Sequence, residues 1–207
     1  ETNDLTLTAT QLTSAAETIN LNLGSTLANL AVDLGAGTNT VQIESTSTAG
    51  VTINSQGGAD SYTVNLGSLA GPVIVAGDVS TGSVSVEVVG TDDPDALTLS
   101  AEGVQTGTGE TIQLDTAVTS LTVNGGAGAD EITVSEFTAS VTELALDGGA
   151  GNDQITVTDF TAPVEQLTLD GGEGSDVLDV LNVGSTLTSL TIDGGTGEGD
   201  DQYQVPN

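Results

Sequence analysis

The chain contains no Lys, Arg, His, Cys, Met or Trp, yet its 207 residues include 30 Asp plus Glu, giving a formal charge of -30. Without a basic side chain no ion pair between side chains can form, and so one-sided a charge repels itself in the compact state unless cations screen it. Nucleic-acid binding is excluded in practice, because phosphate contacts need Lys or Arg. Nucleophilic triads lose their His or Cys partners. Parallel β-helix enzymes that act on acidic sugars lose the basic residues they usually employ. No catalytic residue is therefore assigned, and the chain is read as a non-enzyme.

The absence of cysteine rules out disulfides, so in an oxidising compartment stability must come from elsewhere, and calcium is plentiful there. No apolar run approaches the roughly 20 residues that span a bilayer, so direct membrane insertion is not expected. Two Phe and two Tyr are the only aromatics. Sparse aromatics with high charge also suit a disordered chain. Against that stands regular apolar alternation, in Leu5/Leu7, Val84/Val86/Val88, Leu144/Leu146 and Ile155/Val157, which is the pattern of β-strands. No segment keeps a 3.6-residue period, so no helix is expected.

What the sequence has in abundance is repetition. Four segments begin at Leu121, Leu144, Leu167 and Leu190: LTVNGGAGADEITV, LALDGGAGNDQITV, LTLDGGEGSDVLDV and LTIDGGTGEGDDQYQV, the last read with one extra residue before Asp200. Phe137, Phe160 and Val183 share one repeat position, and Val141, Val164 and Leu187 another. Looser copies start at Leu30, Val51, Val73 and Val86, and residues 21–30 resemble residues 181–190.

A unit this short cannot hide its apolar side chains alone, so copies must stack into a continuous core. The expected fold is all-β, a parallel β-helix or β-solenoid with about 23 residues per rung in the C-terminal half. Residues 1–207 are read as one elongated domain, with regular repeats over 121–205, less regular rungs over 1–99 and an irregular segment at 100–117. Roughly eight or nine rungs are expected. Each would carry Leu-x-Leu, a glycine corner, Ile-x-Val and a third side holding Phe137 or Phe160. A sandwich of short antiparallel strands is the competing reading; it accounts for the alternation but not for the constant step.

The runs Gly125 to Asp130 (GGAGAD), Gly148 to Asp153 (GGAGND) and Gly171 to Asp176 (GGEGSD) resemble the calcium-binding nonapeptide of the RTX (repeats-in-toxin) family, with Ile132, Ile155 and Leu178 at its large apolar position. The resemblance implies Ca2+ held by backbone carbonyls and by the aspartate, at Gly125, Gly128 and Asp130, at Gly148, Gly151 and Asp153, and at Gly171, Gly174 and Asp176, with Asp200 in the fourth copy. Family arrays run back to back, whereas here about 14 other residues follow each copy. The Gly57-Gly58-Ala59-Asp60 copy is degenerate.

Stacking itself points to cations. Asp130, Asp153 and Asp176 would form one column, and Asp147, Asp170 and Asp193 a second beside it. At a strand spacing of about 4.8 Å, neighbouring carboxylates repel by about 3.5 kcal/mol at an effective dielectric near 20. A hard divalent ion with oxygen ligands removes that cost. The competing reading is a metal-free turn in which Asp and Gly serve turn geometry and cap amides. Outward threonines such as Thr122, Thr133, Thr156, Thr168 and Thr191 read as solvated strand faces. Asp92, Asp93 and Asp95 around Pro94 read as a turn.

These features point to a secreted or cell-surface structural protein: a calcium-stabilised solenoid forming part of a filament, a surface layer or a biofilm adhesin. Its expected partners are further copies joined head to tail, or neighbouring domains of a longer chain. A carbohydrate- or ice-binding module, and a polysaccharide-degrading parallel β-helix enzyme, are the alternatives.

Overall fold

The computed structural model describes residues 5–8, 11–14, 18–22, 30–34, 37–55, 57–77, 82–114, 118–158, 163–183, 186–197 and 200–205. Among these the regular structure is all strand, in two ten-stranded sheets. The first sheet holds β1 (Leu5–Thr8), β2 (Gln11–Ser14), β3 (Thr18–Asn22), β5 (Thr40–Ser45), β7 (Gly58–Asn65), β9 (Gly82–Val89), β13 (Val118–Asn124), β15 (Val141–Asp147), β17 (Gln166–Asp170) and β19 (Ser189–Asp193). The second holds β4 (Ala31–Asp33), β6 (Val51–Ser55), β8 (Val73–Gly77), β10 (Ala96–Ser100), β11 (Gly103–Thr106), β12 (Thr111–Leu114), β14 (Glu131–Val134), β16 (Gln154–Val157), β18 (Val177–Val180) and β20 (Gln202–Gln204).

From β3 onward, apart from β10 to β12, the chain passes back and forth between the sheets, and each strand pairs in parallel with its counterpart in the next coil. The result is a parallel β-solenoid of about seven turns, with coils about 23 residues apart in the C-terminal half. The alternation places every second side chain inside. Val86, Leu121, Leu144 and Leu167 form one buried column, and Leu97, Ile132, Ile155 and Leu178 face it from the second sheet. A 23-residue coil offers few core positions, so stability arises from columns shared between coils.

Three details depart from the sequence reading. The turns are fewer than eight or nine because some strands do not wind: β1 and β2 make an antiparallel hairpin, and β10, β11 and β12 pair antiparallel within one sheet. That second group is the irregular segment, and β12 returns to lie parallel to β8. The expected third side is not a strand. Phe137 sits in the return stretch between β14 and β15 and is wholly buried, where it fills the end of the core; Phe160 lies outside the described residues.

The looser N-terminal copies also lie elsewhere. Their corners, between β4 and β5 and between β6 and β7, run from the second sheet to the first, whereas the corners of the regular repeats run from the first to the second. The two families of corners therefore occupy opposite edges of the coil. The phase changes at β9, which ends the copy begun at Val73 and opens the copy begun at Val86, half a coil later.

Candidate metal-binding corners

Each regular corner is built from five residues, three of them glycine, between a strand of the first sheet and the aspartate that opens the second. The second and fourth positions have positive φ, as at Gly149 (94°) and Gly151 (150°), a region L-residues rarely enter. The first position is glycine for a different reason. A Cβ at Gly125 would stand 2.5 Å from both Asp130 Oδ2 and the Gly148 carbonyl oxygen, and Gly148 and Gly171 repeat this with Asp153 and Gly171, and with Asp176 and Gly194. A side chain there would displace the carboxylate or the next coil. Between coils the third positions Ala127, Ala150, Glu173 and Thr196 are linked by single parallel bridges.

The two predicted columns are present. In the inner one, each aspartate accepts the amide of its counterpart one coil earlier through Oδ1: Asp95 to Asp130 at 2.7 Å, Asp130 to Asp153 at 2.8 Å, Asp153 to Asp176 at 2.8 Å and Asp176 to Asp201 at 3.1 Å, the acceptor named second. The metal-free role of capping a turn amide is thus filled by one oxygen of each carboxylate. The other oxygen is different. Oδ2 of Asp130, Asp153 and Asp176 is buried with no hydrogen-bond partner, in residues only 2%, 2% and 0% exposed. An unpaired buried polar atom of this kind is costly and calls for a ligand or a proton.

The outer column explains the open oxygens. Asn124, Asp147, Asp170 and Asp193 stack in register, and each turns Oδ1 to the amide two residues on, at Gly126, Gly149, Gly172 and Gly195. Asn124 also donates its Nδ2 to Asp147 Oδ2 at 3.0 Å. The outer side chains thereby consume the corner amides that would otherwise reach the inner carboxylate. At the preceding coil the outer position is Val89, which offers no acceptor. There the Thr91 amide and hydroxyl both donate to Asp95 Oδ2, at 2.7 and 3.0 Å. The acidic turn around Pro94 is therefore an internally bonded turn.

Electrostatics follow the geometry. Burial pushes the Asp153 carboxyl from 3.8 up to about 6; the Asp130 amide bond opposes the rise, and the charges of Asp130, Asp176 and Asp147 add to it. Asp130, Asp176 and Asp147 are raised as well, again chiefly by burial, with Asp170 adding at Asp147. The inner column senses the outer across the glycines, as Asp153 does the charge of Asp147 and Asp176 that of Asp170.

Gly125, Gly148 and Gly171 thus sit against the open oxygens, while Gly128, Gly151 and Gly174 shape the turn, and Gly128 and Gly151 also donate to the next coil, at the Ala150 and Glu173 carbonyls. The fourth copy is read differently by the structure. Asp201, not the exposed Asp200, joins the inner column, because the corner holds two extra residues rather than one: Asp176 and Asp201 are 25 apart where the other steps are 23. Tyr203, at the position of Leu178, brings its hydroxyl to Asp201 and Gly194. Among the described residues no three acidic side chains converge on one point. A cation at these corners would rest on one inner carboxylate together with backbone carbonyls, which suits a hard ion such as Ca2+.

Sequence reasoning missed two members of the inner column, Asp201, obscured by its acidic neighbour, and Asp95, hidden by degenerate spacing. The chain matches no protein-family model, no curated protein and no solved structure.

Proposed function

We propose that the chain is an extracellular structural solenoid whose glycine-rich corners take up calcium, and that it serves as a segment of a filament, surface layer or adhesin. The observation that carries this reading is the row of buried, unpartnered Oδ2 atoms at Asp130, Asp153 and Asp176, each bordering, with a glycine carbonyl of the next coil, the space that a Cβ on the first corner glycine would take. Calcium would supply positive charge to a chain that has no basic side chain, and oxygen-seeking coordination that the unpartnered atoms lack. The RTX-like sequence of these corners supports the same ion.

Support for assembly comes from the last coil. Leu181, Leu190, Tyr203 and Val205 are exposed, and the outer edges of β19 and β20 carry strand amides and carbonyls in the register that another coil requires. A coil from a second copy, or from a neighbouring part of a longer chain, would continue both columns.

The test is far-UV circular dichroism and sedimentation in excess calcium and in excess chelator. Calcium should raise the unfolding midpoint and promote association, since a ligand held only by the folded form adds directly to its stability. Identical unfolding curves in both conditions would defeat the proposal.

A further inference from the structure

The described corners of this one chain solve the same problem differently. At residues 34–39 the first corner position is Leu34, buried in the core, and the column position is the neutral Asn39. At residues 55–60 the first position is Ser55 and the column position Asp60; Ser55 donates its hydroxyl to Asp60 Oδ2, while Asn39 donates its amide and Nδ2 to Oδ1 at 3.0 and 2.7 Å. At residues 90–95 Thr91 serves Asp95 Oδ2. Among the described residues only the corners at Gly125, Gly148 and Gly171 leave a buried Oδ2 open.

The spacing makes the equivalence structural. Ser55 precedes Asp60 by five residues, as Gly125 precedes Asp130, and the Asn39 amide bonds Asp60 Oδ1 just as the Asp130 amide bonds Asp153 Oδ1. Where a carboxylate shares its corner with a hydroxyl, the protein supplies the donor. Where the side chain at the first position is hydrocarbon, the carboxylate has become an amide. At Gly125, Gly148 and Gly171, where an outer acidic or amide side chain takes the corner amide, nothing among the described residues completes the site, whereas at Gly194 the Tyr203 hydroxyl reaches Asp201.

We infer that the Ser55 and Thr91 hydroxyls are built-in substitutes for the cation, so that ion dependence is confined to the C-terminal coils, and the corners at Asp60 and Asp95 hold without it. This rests on the calcium reading above. It gives the rod one segment that is indifferent to calcium and one that is switched by it, with the boundary at β10 and β14.

Hydrogen exchange of the full chain, read by mass spectrometry after pepsin digestion, tests the division. In the wild type, chelator should raise exchange in β13 to β18 by about tenfold or more, and leave β5 to β7 within about twofold. Ser55→Gly should make the protection of β6 and β7 calcium-dependent, because Asp60 Oδ2 then stands open as at Asp130. Ser55→Thr keeps the hydroxyl and should leave them indifferent. If β5 to β7 of the wild type lose protection together with β13 to β18, the inference is overturned. It is also overturned if Ser55→Gly weakens β6 and β7 equally with and without calcium, while the C-terminal response still stands. Should β13 to β18 ignore calcium altogether, the calcium reading fails and this inference fails with it.

Discussion

Replacing Asp153 by Asn separates the cost of the buried charge from its use. The asparagine keeps an acceptor for the Asp130 amide, and its Nδ2 would face the space beside Gly148 that the Gly171 carbonyl also borders. Asn39 already occupies this position in an earlier coil. An aspartate that titrates near 6 when folded rather than 3.8 binds its proton more tightly in the native state. Its contribution is therefore favourable below pH 3.8 and is lost as the pH rises through 6. The gap of about two units corresponds to about 3 kcal/mol, and solvent screening at the edge of a narrow coil reduces this to about 1–2 kcal/mol. In chelator at pH 7, Asp153→Asn should thus unfold in urea with a stability about 1–2 kcal/mol above the wild type, the difference closing as the pH falls below 4. In calcium the order should reverse, because the variant lacks one ionised ligand. A variant less stable than the wild type in chelator at pH 7, or a difference that ignores pH, would refute the reasoning.

Three further outcomes follow from packing and bonding. Phe137→Ala empties a wholly buried site in the return stretch and should cost about 3–5 kcal/mol in urea unfolding, with or without calcium. Gly151→Ala forces a side chain onto φ of 150° and onto the Gly128 carbonyl of the previous coil, so its dichroism should show loss of the folded C-terminal coils even in excess calcium. Glu110 accepts the amides of Gly67 and Leu69, at 2.9 and 2.7 Å; Glu110→Ala should cost about 1–3 kcal/mol and raise exchange in residues 66–72.

The solenoid was legible in the sequence because one spacing recurs with apolar residues at fixed positions, and parallel stacking turns such a period into columns like Leu121, Leu144 and Leu167. Ile132, Ile155 and Leu178 point into the core as their place in the repeat implies. The edge on which a corner falls was not legible, since LxL-corner-IxV reads the same whether the chain passes from the first sheet to the second or back. Only the short step from Val73 to Val86 hints at the change of phase. At the site, the aspartate columns followed from the repeat, but which oxygen is bonded and which is open depends on donors such as Ser55 and Thr91, whose geometry no spacing reveals. The fourth corner was misread by one residue because Asp200 and Asp201 are adjacent, and register at Val177 and Gln202 decides between them.

The excursion through β11 and β12 also bears on the outline of the molecule. Between β8 and β14 the second sheet interposes three strands, while between β7 and β13 the first interposes one. One wall of the tube is therefore longer than the other by about 10 Å at this level, and a tube with unequal walls must bow toward the shorter one or fan open. Its axis should deviate there, and removing the extra pair should straighten it, a change in profile that small-angle scattering registers.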